Sequence, residues 1–238
     1  MDVVSAKGET RAGDVLQRLR EDILSCALQP GEKLRFEAMR ERYEVSFSTL
    51  REALSRLTAE QLVVSEGQRG FVVAPVSIAD LEDLTNSRVL IERELLRLSM
   101  IYGDDAWEAA ILSSFYRMDR AQSRLGAHFY SSPEWAKLHG DFHLALVQAG
   151  RSPILQEIRH KLFERSHRYR RISAAFRTKW RPKATEHKAI MDSALDRLPE
   201  TLDLIERHIR ETTVNVIETG GHLFSDTASA PPKIAATM

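Results

Sequence analysis

The chain has 238 residues, of which 43% are hydrophobic and 29% charged, a length that suits two modest cores and a composition that excludes disordered, fibrous and collagen-like classes. Lys plus Arg equals Asp plus Glu at 34 each, so net charge offers no footprint for nucleic acid, and even between Asp14 and Pro75 nine Lys and Arg face ten Asp and Glu. One cysteine (Cys26), no leader pattern and charged residues in every apolar run point to the cytoplasm and away from disulfides and membranes.

Residues 1–13 lack periodicity and read as a flexible arm. Val15, Leu16, Leu19, Ile23 and Leu24 then recur at the spacing of an amphipathic helix that ends near Cys26, before the turn signal Gln29-Pro30-Gly31. A short helix follows over Phe36–Tyr43, with Met39 and Tyr43 on one face, and Glu44-Val45-Ser46 breaks it. Ser46 or Ser48 caps a third helix, with a buried stripe of Leu50, Ala53, Leu54 and Leu57, that runs to about Gln61. The valine-rich runs of LVVSEGQRGFVVAPV, parted by a segment holding Gly67 and Gly70, predict a β-hairpin. Pro75 and Ser77 close this first domain, placed at residues 14–76.

From Ile78 to about Phe224 every periodic stretch is helical. Breaks near residues 103–105, 126–133, 150–153, 177–184 and 198–199 predict a bundle of six or seven helices over residues 77–222, and residues 223–238 read as a disordered tail. The expected fold is mainly α: an N-terminal winged helix-turn-helix plus a C-terminal all-helical bundle.

In that arrangement the third helix is narrow enough to enter the major groove while the hairpin lies on an adjacent groove or phosphate run. Ser48, Thr49, Arg51, Glu52, Ser55 and Arg56 lie off the buried stripe. Hydroxyls and helix-start amides suit phosphate oxygens, and the fork of Arg51 suits guanine O6 and N7 or two phosphates. The alternative for Arg51 is a pair with Glu52 or Ser55 on its own helix. The run GEKLRFEAMRERYEVSFSTLREALSRLTAEQLV, followed by GQRGFVV, resembles the DNA-binding domain of the GntR family, whose turn and third helix typically read V-S-R-T-P-V-R-E-A-L. Val45, Ser46, Arg51, Glu52, Ala53, Leu54, Leu57, Leu62, Arg69 and Gly70 carry the match. The resemblance implies contacts to double-stranded operator DNA from Arg35, Ser46, Phe47, Ser48, Thr49, Arg51, Arg56, Gln68, Arg69 and Gly70. Phe47 stands in the usual arginine position and Thr49 in the usual proline position. A phenyl ring packs on a thymine methyl but cannot donate to guanine, which predicts a more AT-tolerant half-site there.

In the helical domain His139 and His143 stand four apart on one helix, so both imidazoles leave one face at a spacing that chelates a divalent ion. His187 and His208 fall on two later helices, and facing helices commonly build such a site. The metal would be a divalent transition ion, with zinc or nickel ahead of copper and iron; the alternative is four ordinary polar or core histidines. Arg88 is either an anchor for a carboxylate or a partner for Glu92 one turn on. Arg165 and Tyr169 share a long helix over residues 154–171, whose expected buried stripe is Leu155, Ile158 and Leu162, continued at 165, 166 and 169.

Arg88-Val-Leu-Ile-Glu92, His139-Gly-Asp-Phe142-His143-Leu-Ala-Leu, Glu186-His187-Lys-Ala-Ile190 and Ile205-Glu-Arg-His208-Ile209 resemble segments of the ligand-binding domain of the FadR-type branch of the GntR family, the FCD domain. His139 occupies the family's usual Asp position; Asp141 points to another helix face and Glu134 is remoter. The stretch from GQRGFVVAPVS through RVLIERELLRLSM also resembles the carbon-starvation, glutarate-responsive repressors of that branch. The resemblance implies a homodimer and a repressor released by a small carboxylate, a dicarboxylate or hydroxy acid, bound by Arg88, His139, His143, Arg165, Tyr169, His187 and His208. No phosphate loop, G-x-S-x-G elbow, H-E-x-x-H or partnered nucleophilic cysteine occurs, so an enzyme is not expected. A purely structural dimerisation domain and a metal-dependent enzyme stay open as alternatives.

Overall fold

The computed structural model describes residues 5–67, 70–176 and 184–224. Chain contacts divide them into two compact units, one built on residues up to Ile78 and the other on Ala79–His222.

The first unit begins with α1 (Ser5–Leu24). Its stripe of Val15, Leu19 and Ile23 is buried against the stripe of α3 (Phe47–Ala59), formed by Leu50, Leu54 and Leu57. The helix starts inside the segment read as an arm, which is therefore helical from Ser5 onward. Ala6, Lys7, Glu9, Arg11 and Ala12 are strong helix formers without an apolar face, so propensity extends a helix that hydrophobic periodicity does not register.

Between them α2 (Phe36–Tyr43) buries Met39 and Tyr43. The Tyr43 hydroxyl donates to Asp22 Oδ2 at 2.5 Å and Arg42 donates to the same oxygen at 2.7 Å, fastening α2 to α1. Glu44 turns the chain with a left-handed backbone, φ 54°. The Ser46 side chain then accepts the Thr49 N–H at 3.2 Å, so of the two serines it is Ser46 that caps α3. Two strands follow, β2 (Val63–Ser65) and β3 (Phe71–Val73), antiparallel with Val63 opposite Val73. A further strand, β1 (Lys33–Leu34), pairs with the outer side of β3, giving the order β1-β3-β2. Two residues are too few for alternation to mark a strand in sequence.

Among the described residues the second unit contains six α-helices: α4 (Ile78–Tyr102), α5 (Asp105–Leu125), α6 (Pro133–Val147), α7 (Pro153–Phe176), α8 (Ala184–Leu195) and α9 (Thr201–Gly220). Asp104 caps α5 by accepting the Trp107 N–H at 3.0 Å, and Ser132 caps α6 ahead of Pro133 in its first turn. Gly103 is required at the α4–α5 corner, because a Cβ there would lie 2.2 Å from the Trp107 ring. Leu95, Leu96, Ile111, Met118, Phe142, Leu146, Ile190 and Ile205 form the core. The expected tail, from residue 225 on, and most of the expected break at 177–184 lie outside the described residues. No helix of the described residues is long and apolar enough to cross a membrane.

Candidate DNA-binding face and candidate metal and effector centre

The cap of α3 gathers hydroxyls, with Ser46 Oγ 3.0 Å from Ser48 Oγ and 2.8 Å from Thr49 Oγ1. Arg51 is exposed and, among the described residues, makes no side-chain bond, because Glu52 pairs with Arg56 at 2.8 Å. Its five donors stay available to a partner from outside. Phe47 is 46% exposed and stacks on Phe36 at 4.4 Å, and Phe36 meets the edge of Phe71 at 5.9 Å. An aromatic row thus joins the starts of α2, α3 and β3. Arg35 is exposed just before α2, and Gly70, at φ 94°, accepts the Glu66 N–H in the hairpin. Gln68 and Arg69 lie outside the described residues.

The second constellation is internal. His139 and His143 on α6 bring their Nε2 atoms to 3.2 Å, and His187 on α8 and His208 on α9 complete a set in which one ring nitrogen of each lies within 4.8 Å of the others. All four are buried. Burial, then mutual ring proximity, holds His139 and His143 well below the usual histidine range, so both are neutral near pH 7. His208 Nδ1 is 3.0 Å from Glu186 Oε2. A carboxylate accepts, so Nδ1 carries a proton and Nε2 is the nitrogen that would ligate, the carboxylate–histidine arrangement that supports metal ligation. Converging buried imidazoles fit a divalent transition ion better than calcium or magnesium, which take oxygen ligands. Neither acidic neighbour of His139 joins them: Asp141 pairs with Lys137 at 2.9 Å and Glu134 with Arg124 at 2.5 Å, both exposed pairs.

Beside the histidines lies a buried charge cluster. Arg88 on α4 donates to Glu92 Oε1 and to Ser166 Oγ, each at 2.8 Å, and Arg159 on α7 lies 3.7 Å from Glu92 Oε2. Both open readings of Arg88 therefore meet in one place, since it pairs with Glu92 and also faces the interior. Arg88, Arg159 and Arg170 surround the Phe163 ring at 5.3, 4.6 and 4.8 Å. All three guanidiniums thus act on one buried carboxylate, Glu92, which is 1% exposed, while the exposed Glu164 also acts on Arg170. Burial would raise the Glu92 carboxyl, but Arg159 and Arg88 outweigh it and hold it below its ordinary range. Burial and Arg88 push Arg170 down to about 9.

A cavity of about 90 Å³ opens on this centre, lined in part by His139, His187, His208, Trp135, Phe129 and Arg170. The Trp135 indole stacks on His139 at 4.8 Å, and its buried Nε1 has no acceptor among the described residues. Arg165 and Tyr169 are not brought here: each donates to Asp80 at 2.7 Å, fastening α7 to the start of α4. The buried face of α7 follows the expected stripe only in its second half: Ser166 and Tyr169 are buried, but Ile158 and Arg165 are exposed. In their place Arg159 and Phe163 face inward, because the partners on α4 are the polar Arg88 and Glu92. Hydrophobic periodicity cannot find such a face, so Arg159, Arg170, Glu186 and Trp135 do not stand out as site residues in the sequence, and Glu92 does so only as a partner for Arg88. The spacing 159, 163, 166, 170 on one helix was the available signal.

Residues 11–73 match the gntR family of bacterial regulatory proteins and residues 83–211 match the FCD domain. The chain is 40% identical over 211 residues to the HTH-type transcriptional regulator BphR of Paraburkholderia xenovorans (strain LB400), covering 87% of this chain and 85% of BphR. It is 36% identical over 154 residues to the HTH-type transcriptional repressor GlaR of Escherichia coli (strain K12), covering 65% of this chain and 70% of GlaR. A crystal structure of a transcriptional regulator GntR from Rhodococcus sp. RHA1 superposes with a TM-score of 0.64 at 19% identity, over 88% of this chain and 98% of that one, a likeness of fold. These relatives and both domains are those of transcription regulators, not enzymes. The chain belongs to the gntR family of bacterial regulatory proteins, in its FadR-type branch, and is a DNA-binding transcription regulator with an FCD effector domain.

Proposed function

We propose that this regulator is a repressor whose hold on operator DNA is released when a small carboxylate, a dicarboxylate or hydroxy acid, enters the cavity beside His139, His143, His187 and His208. The observation that carries the reading is the excess of buried donors over acceptors. Among the described residues, Arg88 Nε, Arg159 Nε and Nη2, Arg170 Nε and Nη2, and Trp135 Nε1 are buried without a hydrogen-bond acceptor, against one carboxylate oxygen, Glu92 Oε2, without a donor. Buried guanidiniums in excess over buried carboxylate are costly unless an anion joins them. A planar acid matches their fork geometry, and Arg170, which lines the cavity, and Arg88 are the anchors in this reading.

The four imidazoles are the candidate ligands of a divalent transition ion, zinc or nickel first, and an ion held there would take a carboxylate oxygen in a remaining position. Arg51 reads bases, Phe47 packs on a thymine methyl, Arg35, Ser46, Ser48, Thr49 and Arg56 hold phosphates, and Gln68, Arg69 and Gly70 form the wing contact. Residues 14–76 carry this work and residues 77–222 the sensing and dimerisation, in a cytoplasmic homodimer on paired half-sites. Family members bind operator DNA and generally dimerise, and the likeness to GlaR, a transcriptional repressor, supports the sign of control.

Effector and operator are then linked, with a coupling of about 1–3 kcal/mol, or about 5- to 150-fold in affinity. Isothermal titration of the purified protein with glutarate and 2-hydroxyglutarate, with and without operator DNA, tests this. The expected result is heat with the dicarboxylates and equal, reciprocal losses of the two affinities. No heat, or one effector affinity in both conditions, overturns the proposal in favour of a structural dimerisation domain.

A further inference from the structure

Arg170 Nη1 lies 3.1 Å from His139 Nδ1. A guanidinium carries donors only, so the contact requires a bare lone pair on Nδ1, which excludes the doubly protonated ring. A neutral imidazole with Nδ1 bare holds its proton on Nε2. That is the nitrogen facing His143 Nε2 at 3.2 Å, so His139 donates and His143 accepts. The His143 proton then sits on Nδ1, which is buried and has no other partner among the described residues.

His208 shows the opposite arrangement. Glu186 holds a proton on its Nδ1, so Nε2 is its ligating nitrogen in the metal reading. A metal ligand has to offer a lone pair, and His139 offers an N–H where His208 and His143 can offer nitrogen electrons. An imidazole under a guanidinium donates from its other nitrogen.

We infer that His139 is not a metal ligand in this chain: His143, His187 and His208 hold the ion, and His139, locked in its Nε2–H tautomer by Arg170, is a hydrogen-bond donor to the oxygen ligand beside it. The inference rests on the metal reading above and sharpens it. With three neutral nitrogen ligands and no carboxylate, the ion keeps its full positive charge and one more open position, both of which favour an anionic oxygen ligand. Arg170 is the positioning residue that sets the His139 tautomer.

Zn2+ alone is the probe, titrated into the chelator-treated full-length protein in competition with a chromophoric chelator, with folding checked by circular dichroism. Wild type and His139→Ala should each bind one Zn2+ per chain with affinities within about tenfold, whereas His143→Ala and His208→Ala should lose more than about 100-fold. Imidazole 15N spectra of the wild type supply a measurement independent of any variant. His139 should keep a protonated Nε2 and a bare Nδ1 with and without Zn2+, while His143 changes on loading. A loss of more than about 100-fold in His139→Ala, or disappearance of the His139 Nε2 proton on loading, overturns the inference and leaves the four-histidine site. Wild-type protein that takes up no Zn2+ overturns the metal reading itself and this inference with it.

Discussion

The two units handle polar groups in opposite ways. In the DNA-binding unit the interior is apolar, and among the described residues before Ala79 the buried polar side chains reduce to Ser77; Ser46, Phe47, Ser48 and Arg51 are all exposed. The helical unit buries Arg88, Glu92, Arg159, Arg168 and four histidines, and all eight histidines of the chain lie from His128 onward. The difference follows the size of what each recognises under the proposed function. Duplex DNA cannot enter a protein, so its contacts have to stand outside. A small ion can be enclosed, and in a low-dielectric interior each donor aimed at it counts for more, at the cost of unpaired charge when it is absent.

Acid should separate the units most. Burial holds His139 and His143 well below 6.5 and pushes His167 down to about 3, with Arg170 adding to it. Their folded values lie below the unfolded one, so as pH falls below about 6.5 the unfolded chain binds protons that the folded chain refuses. The stability is therefore present above about 6.5 and is lost on the acid side, by about 1.4 kcal/mol per pH unit for each such histidine. Trp107, Trp135 and Trp180 all fall in the helical domain, so tryptophan fluorescence in urea follows its unfolding in chelator-treated protein. Its midpoint should drop between about pH 7 and 5.5 while that of the isolated first 78 residues, followed by circular dichroism because they hold no tryptophan, stays level. Equal acid sensitivity of the two would remove the contrast.

Next in size is Glu92→Gln, which takes the one carboxylate from three guanidiniums and should lower the stability of the helical unit by about 3–5 kcal/mol. On the other unit Glu52→Gln breaks the exposed Arg56 pair and should shift the urea midpoint by less than about 1 kcal/mol. Comparable losses at the two positions would show that burial is not what distinguishes them. The smallest expected effect on stability is that of Phe47→Arg. It should move base preference at one position of the operator from A·T towards G·C by about 1–3 kcal/mol while leaving the urea midpoint nearly unchanged. Footprinting across operator variants checks it, and unaltered preferred bases would remove Phe47 from the reading face.

How legible each unit was follows from the same contrast. Val15, Leu19, Ile23, Leu50, Leu54 and Leu57 are both the periodic residues and the buried ones, so the helices and the hairpin could be placed from spacing alone, while the choice of Ser46 over Ser48 as the cap of α3 needed the structure. The exceptions were β1, recruited by backbone pairing to β3, and the first turns of α1, which have no apolar face. On α7 periodicity pointed to Ser166 and Tyr169, which are buried, but also to Ile158, where the inward residues are Arg159 and Phe163. A core that buries charge does not follow an apolar pattern.

What could be known from the chain of residues was therefore its local and its recurrent content: two domains, helix lengths and caps, a winged helix-turn-helix order, and four histidines at ligand spacing. These depend on neighbours within a turn or two, which composition and period record. Tertiary structure alone decided that Arg165 and Tyr169 hold Asp80, that Arg159 and Arg170 join Arg88 around Phe163, and that Arg170 rather than a carboxylate stands behind His139. Those facts depend on which helix faces meet, and a ring nitrogen becomes donor or acceptor only through the partner that packing places against it.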